Sequence, residues 1–150
     1  MPVVQLAYRS RSSLAPDDLS TTVQLGEILS VSRKNNARDG LTGYLIFAKP
    51  WFVQILEGNP AQVGEAYDRI RRDERHEEVM LISRREIRTR SFPEWSMAGS
   101  ILTPEKRAIA ARHGTGGGID PSRLTAPGIV ALALDLQDHE RALATRRLAG

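Results

Sequence analysis

A chain of 150 residues without cysteine, carrying 21 basic and 18 acidic side chains, is long enough for one domain with a real core and excludes disulfides and thiolate chemistry. Cut after Gly99, it holds 14 basic and 13 acidic residues before the cut and 7 and 5 after it, so no one-signed patch marks a nucleic-acid binder. The opening MPVVQLAYRS has no charged segment followed by a long apolar run, and no apolar run reaches membrane-spanning length, so the expectation is a soluble cytoplasmic protein with no signal peptide and no membrane partner.

The stretch VVQLAYR alternates with period two, setting Val4, Leu6 and Tyr8 on one side and Val3, Gln5, Ala7 and Arg9 on the other, which predicts a strand. After the turn-rich SRSSLAPDD comes a helix from about Leu19 to Asn36, with Leu25, Ile28, Leu29 and Ser32 spaced as one face and Asp39-Gly40 closing the unit. LTGYLIFA and WFVQILEG are apolar, β-rich runs around Lys49-Pro50 and read as a hairpin. Asn59-Pro60 supplies an N-cap and a first-turn proline for a second helix with Val63, Ala66, Tyr67 and Ile70 on one face, running to about Arg72. EVMLISRREI reads as a strand and FPEWSMAG as a last short extended piece. The order is α+β, a ferredoxin-like β-α-β-β-α-β sandwich, with the first and third strands central and both helices on one face. Residues 1–99 form this unit. Residues 100–150 form a short helical C-terminal extension: a helix in TPEKRAIAARHG, a Gly/Pro-rich linker TGGGIDPSRLTAPG and a final helix in IVALALDLQDHERALATRRL. Its Ala131, Leu132, Leu134, Leu136 and Leu143 pack on the outer sheet face or form a dimer contact.

Several polar residues sit where this pattern wants apolar ones. Tyr8 shares a strand face with Val4 and Leu6, and Gln54 shares one with Phe52 and Leu56. Asn35 and Asn36 follow Ile28 and Leu29 by seven residues and so continue the buried helix stripe. Buried polar groups need partners, and four of them, one phenol and three amides, converging on an apolar space suit a flat ligand whose edge alternates acceptors and N–H donors. Each residue also has an ordinary structural explanation: core packing for the tyrosine, a helix stop for Asn-Asn, solvent contact for the glutamine.

AYRSRS, SRKNNARDGLTGYLI, FVQILEG, IRRDERH and FPEWSMAG, in that order from Val3 to Gly99, together resemble the BLUF family of blue-light sensors that use flavin. The resemblance implies a non-covalently bound flavin, FAD with FMN or riboflavin as alternatives, held between the two helices. By position, Tyr8 resembles the photoactive electron and proton donor, and Gln54 the amide that bridges it to the flavin N5/O4 edge. Asn36 matches the asparagine at the C4 carbonyl and N3 edge, Asn35 its neighbour near the other carbonyl, and His76 a position near the C2 end. Ile28, Arg69, Asp73 and Arg75 join them as cofactor-binding positions. Trp95 and Met97 match the switchable pair that carries the signal, although two such residues at spacing two also suit one face of a strand. The resemblance implies a photoreceptor, and the segment after Gly99 is too short for a cyclase or phosphodiesterase, so the expectation is a stand-alone sensor that is not an enzyme, holds no metal, self-associates and signals to a downstream protein partner.

Two features depart from the family pattern. The loop SSLAPDDLSTT looks longer than usual, and Pro50 disfavours a two-residue type I′ turn, so a longer or register-shifted hairpin loop is expected. Two rival classes share the topology. An acylphosphatase-type hydrolase would use Arg9 or Arg11 but lacks a Gly-rich phosphate cradle. An RNA-binding module would need paired aromatics where the first strand presents Val3, Gln5 and Ala7.

Overall fold

The computed structural model describes residues 2–13, 18–48, 50–74, 76–94, 97–113 and 123–149. The elements are β1 (Val3–Ser12), α1 (Asp18–Asp39), β2 (Thr42–Ala48), β3 (Trp51–Gly58), α2 (Pro60–Arg71), β4 (His76–Ile87), β5 (Ala98–Ile101), α3 (Pro104–Ala111) and α4 (Ala126–Ala149). One sheet carries the strands in the order β4-β1-β3-β2-β5. β1 pairs antiparallel with β3 and β4, β2 antiparallel with β3, and β5 parallel with β2. The ferredoxin-like core is therefore present with β1 and β3 at its centre.

The central strands are buried on both faces, which explains their nearly unbroken apolar runs. Val4, Leu6, Tyr8, Phe52 and Leu56 face α1 and α2, where Leu25, Val63 and Ala66 meet them. Ala7, Ile46, Val53 and Ile55 face the other way, against Ile109 of α3 and Ile129, Leu132 and Leu136 of α4. The C-terminal helices thus cover the outer sheet face: Leu132 and Leu136 are core, Leu134 packs at its margin, Leu143 is half-buried and Ala131 is exposed. Gln5, on that face, is buried as well.

Local chemistry sets the element ends. α1 runs three residues past Asn36 and stops at Gly40, whose φ of +69° is the left-handed conformation that glycine tolerates. Leu41 N then closes back on Asn36 O at 2.8 Å, a Schellman stop. At α2, the Asn59 side chain accepts from Ala61 N at 2.9 Å and Pro60 occupies the first turn, as expected.

One expectation fails and a second holds only in part. Ala48 pairs with Trp51, so only residues 49 and 50 connect β2 to β3 and the hairpin loop is neither longer nor shifted. Slipping the register by one would turn both buried faces inside out, a larger cost than an unfavourable turn residue. FPEWSMAG enters the sheet only at its end: Phe92 and Pro93 lie outside the sheet, and Ala98 and Gly99 begin β5. Pro93 has no N–H to give a ladder, and Phe92 N is already committed to the Glu57 carboxylate at 2.7 Å.

Candidate functional site

The sheet register sets the centre of the site. Tyr8 and Gln54 are direct partners across β1 and β3, with both side chains turned toward α1 and α2. The Tyr8 hydroxyl donates to Gln54 Oε1 in a short, fully buried bond. With its oxygen so engaged, the amide presents Nε2 to Met97 and donates to Sδ at 3.3 Å. Met97, immediately before β5, is completely buried. Its carbonyl is held by Arg33 Nε of α1 at 2.8 Å. A continuous chain therefore runs Tyr8–Gln54–Met97–Arg33, from the sheet centre to α1.

Aromatic groups close around the phenol. The Tyr67 ring lies 5.6 Å from that of Tyr8, and the His76 ring stands edge-on at 6.3 Å. His76 is clamped by Ser10 Oγ at 2.8 Å from Nδ1 and by a short contact from Nε2 to Ile70 O. It is the first residue of β4, beyond the end of α2 at Arg71. Burial, followed by the neighbouring Tyr67 and Asp73, pushes the Tyr8 phenol well above the ordinary tyrosine range. Tyr8 therefore keeps its proton as a hydrogen-bond donor across the physiological range.

Two adjoining cavities open between α1 and α2. One of about 60 Å³ is lined by Tyr8, Ile28, Leu45, Phe52 and His76, among others. The other, of about 240 Å³, is lined by Asn35, Asn36, Leu56, Ala66 and Arg69. Ser32, Gln54, Ile70 and Asp73 line both, so the two are neighbouring parts of one cleft. Asn36 is buried and Asn35 half-exposed in the last turns of α1. Arg69 reaches across from α2 to Asp39 at 3.2 Å, tying the two helix ends together at the mouth.

The structure thus brings Tyr8, Ile28, Asn35, Asn36, Gln54, Arg69, Asp73 and His76 around one cleft, with Met97 behind Gln54. Arg75 and Trp95 lie outside the described residues. The residues fit a flavin by donor chemistry. Three carboxamides, each with a carbonyl acceptor and two N–H donors, face a cleft with apolar walls, and an isoalloxazine ring has a flat body with a carbonyl–imide edge. Among the described residues no cluster of His, Asp or Glu has metal-binding geometry, and no helix is long and apolar enough to cross a membrane.

Sequence reasoning missed Arg33, Ser10 and Tyr67 as members of this site. Tyr67 was legible only as a helix-face residue. Arg33 and Ser10 carry no pattern that separates them from surface positions.

Residues 3–98 match the family model described as BLUF, sensors of blue-light using FAD. Over 79 residues the chain is 32% identical to photoactivated adenylate cyclase subunit beta of Euglena longa, covering 52% of this chain and 9% of that protein. It therefore spans less than a tenth of the length of such curated relatives. It superposes on BlsA in its photo-activated state with a TM-score of 0.76 and 26% identity, covering 89% of this chain and 94% of that one. Dark-state BlrB, a BLUF protein, gives a TM-score of 0.68 and 34% identity, covering 89% and 92%. With the match covering residues 3–98, the chain belongs to the BLUF family of flavin-binding blue-light sensors.

Proposed function

We propose that the protein is a blue-light photoreceptor that holds FAD non-covalently in the cleft between α1 and α2 and reports illumination through Met97 and β5. The observation that carries this reading is the chain from the Tyr8 hydroxyl through the Gln54 amide to Met97 Sδ. When bound, the flavin supplies blue absorption and an excited state that takes one electron. Tyr8 would be the residue placed to give that electron, with its phenolic proton moving along the short bond to Gln54 Oε1, and return of both to Tyr8 would leave Gln54 rotated or tautomerised. A rotated amide faces Tyr8 with Nε2 and turns Oε1 toward Met97, where a thioether has no proton to offer. The Gln54–Met97 bond is then lost, and the segment entering β5 is released from the sheet centre.

Asn36 and Asn35 would hold the carbonyl–imide edge of the flavin, with Ile28, Arg69, Asp73, Arg75 and His76 as the further residues that would bind it. Trp95 acts with Met97 as the signalling pair. Residues 1–99 are the sensor unit and 100–150 its cap and output segment. The chain itself is non-catalytic, self-associates in the cytoplasm and acts on a downstream protein.

The test is an absorbance spectrum of the purified protein in the dark and just after blue light, with the flavin then released by denaturation and identified by chromatography. A flavin spectrum with a small reversible red shift, and FAD in the supernatant, supports the reading. A protein that takes up no flavin overturns it; a bound flavin indifferent to light removes the Tyr8–Gln54 switch.

A further inference from the structure

β5 is an edge strand. It pairs with β2, and among the described residues no strand lies beyond it. Leu102 N donates back to Phe47 O at 2.8 Å. The alternation of a strand therefore aims the amides of Gly99 and Ile101 the other way, away from the sheet. The edge does not meet open solvent directly. It forms the floor of a groove of about 620 Å³ whose walls are α1 on one face of the sheet and α4 on the other.

The two walls differ. On α1, Leu25 and Leu29 give an apolar surface, and Gly26 leaves it recessed, since a side chain there would meet nothing within 4 Å. The α4 side is polar, with Gln137, Glu140 and Arg141. The lining as a whole is cationic: Arg33, Lys106 and Arg141 stand against the single carboxylate of Glu140. Lys106 pairs with that carboxylate, and Arg141 pairs with Glu94 at 2.8 Å through side chains both at least half exposed, a bond that exchanges readily with an incoming acid.

We propose that this groove docks an extended acidic segment of a partner protein, which adds as a sixth strand to the free edge of β5. Three observations converge on that occupant. The outer edge of β5 pairs with no strand among the described residues, and although Ile101 O accepts from Thr103 N at 2.9 Å, its remaining outward groups offer a ladder to an extended backbone. A slot between helices on opposite sheet faces has the shape that an added strand continues. The unlike walls ask for side chains alternating between apolar, toward Leu25 and Leu29, and acidic, toward Arg141. Arg33 lines this groove and also holds Met97 O, so the occupant would sit one hydrogen bond from the segment that the light reaction moves.

The experiment is fluorescence anisotropy of the full chain, in the dark, with a labelled peptide of roughly eight residues alternating valine and glutamate, and a second alternating valine and lysine. The acidic peptide should bind at least about tenfold more tightly than the basic one. Gly26→Leu, which fills the groove, and Ile101→Pro, which deletes an outward N–H, should each weaken binding about tenfold. A retained flavin spectrum shows that either variant is folded. Equal binding of the two peptides, no binding of either, or full affinity in both variants overturns the proposal. So does a dimer that Ile101→Pro dissolves, since a second copy would then own the edge. Because binding is read in the dark, a protein that docks the peptide without a photocycle fails only as a light sensor, and one that photocycles without docking fails only here.

Discussion

Glu57 is a carboxylate with no solvent exposure at the end of a central strand, and three donors converge on it. Phe92 N reaches Oε1 at 2.7 Å, while Gln5 Nε2 and Ser91 N reach Oε2 at 2.9 and 3.0 Å. Glu57→Ala removes every acceptor at once. The buried Phe92 N–H and the buried Gln5 amide each lose about 1–3 kcal/mol, and half-buried Ser91 N, which water can reach, loses about 0.5 kcal/mol. The expected loss is therefore about 2.5–6.5 kcal/mol, a large part of the ~5–15 kcal/mol that holds a typical domain folded. Glu57→Gln keeps the oxygen for Phe92 but sets an NH2 group against one or both of the other donors, so it should cost about 1–3 kcal/mol. Urea unfolding followed by circular dichroism at neutral pH measures both. A loss below about 1 kcal/mol for Glu57→Ala, with an unchanged denaturant slope, would refute the view that this carboxylate anchors the segment after β4.

Other outcomes follow from the same geometry. Tyr8→Phe and Gln54→Leu should each retain flavin and lose the reversible red shift, and a normal shift in either breaks the proposed switch. Arg33→Ala frees the Met97 carbonyl and should alter the dark-recovery rate about three- to tenfold with little change in the dark spectrum; an unaltered rate removes Arg33 from the signalling path. Burial, with the Glu140 charge adding and the Ser100 hydrogen bond opposing, pushes the Tyr44 phenol up to about 12. The folded protein then keeps a proton that the unfolded chain releases near pH 10. That stability is whole below pH 10 and lost as pH rises from about 10 to 12, by about 2–3 kcal/mol. Tyr44→Phe should flatten alkaline unfolding over that window, and an equally steep pH dependence in the variant counts against the assignment.

The sheet and the heart of the cleft were legible because they rest on period and topology. Alternation along VVQLAYR and WFVQILEG turned Tyr8 and Gln54 to one face, and the split β-α-β order made their strands neighbours. The helical repeat likewise carried Asn36 onto the buried stripe. What escaped lies where no period applies. Met97 sits in a connection, so nothing in the sequence aimed its sulfur at Gln54. Arg33 reads as one more helix-surface cation, because an arginine is long enough to bond a carbonyl that its helix position does not predict. Glu57 closes an apolar strand run, and the partners that engage its side chain, Gln5 and the backbone at Ser91 and Phe92, are distant in sequence. Pro50 misled for the related reason that a local turn preference is weaker than two buried sheet faces.

Glu57 and Arg33 acquire a joint meaning from where they grip the chain. Glu57 fixes the backbone at Ser91 and Phe92, and Arg33 fixes it at Met97, so the connection into β5 is held at both ends by bonds independent of the flavin cleft. Gln54 adds a third hold on the Met97 sulfur, and it is the only one of the three that the proposed light reaction breaks. A displacement at Met97 has a route forward into β5, whose outward amides face the groove, and sideways through Arg33 into α1, which forms one wall of that groove. The strand is also only four residues long and paired on one side, so few hydrogen bonds oppose its shift. A rigid clamp upstream and a lightly held strand downstream give a small rearrangement at Gln54 a direction. By this reasoning a weakened Glu57 clamp should leave the spectral red shift intact while blunting any light-dependent change in peptide affinity at the β5 edge.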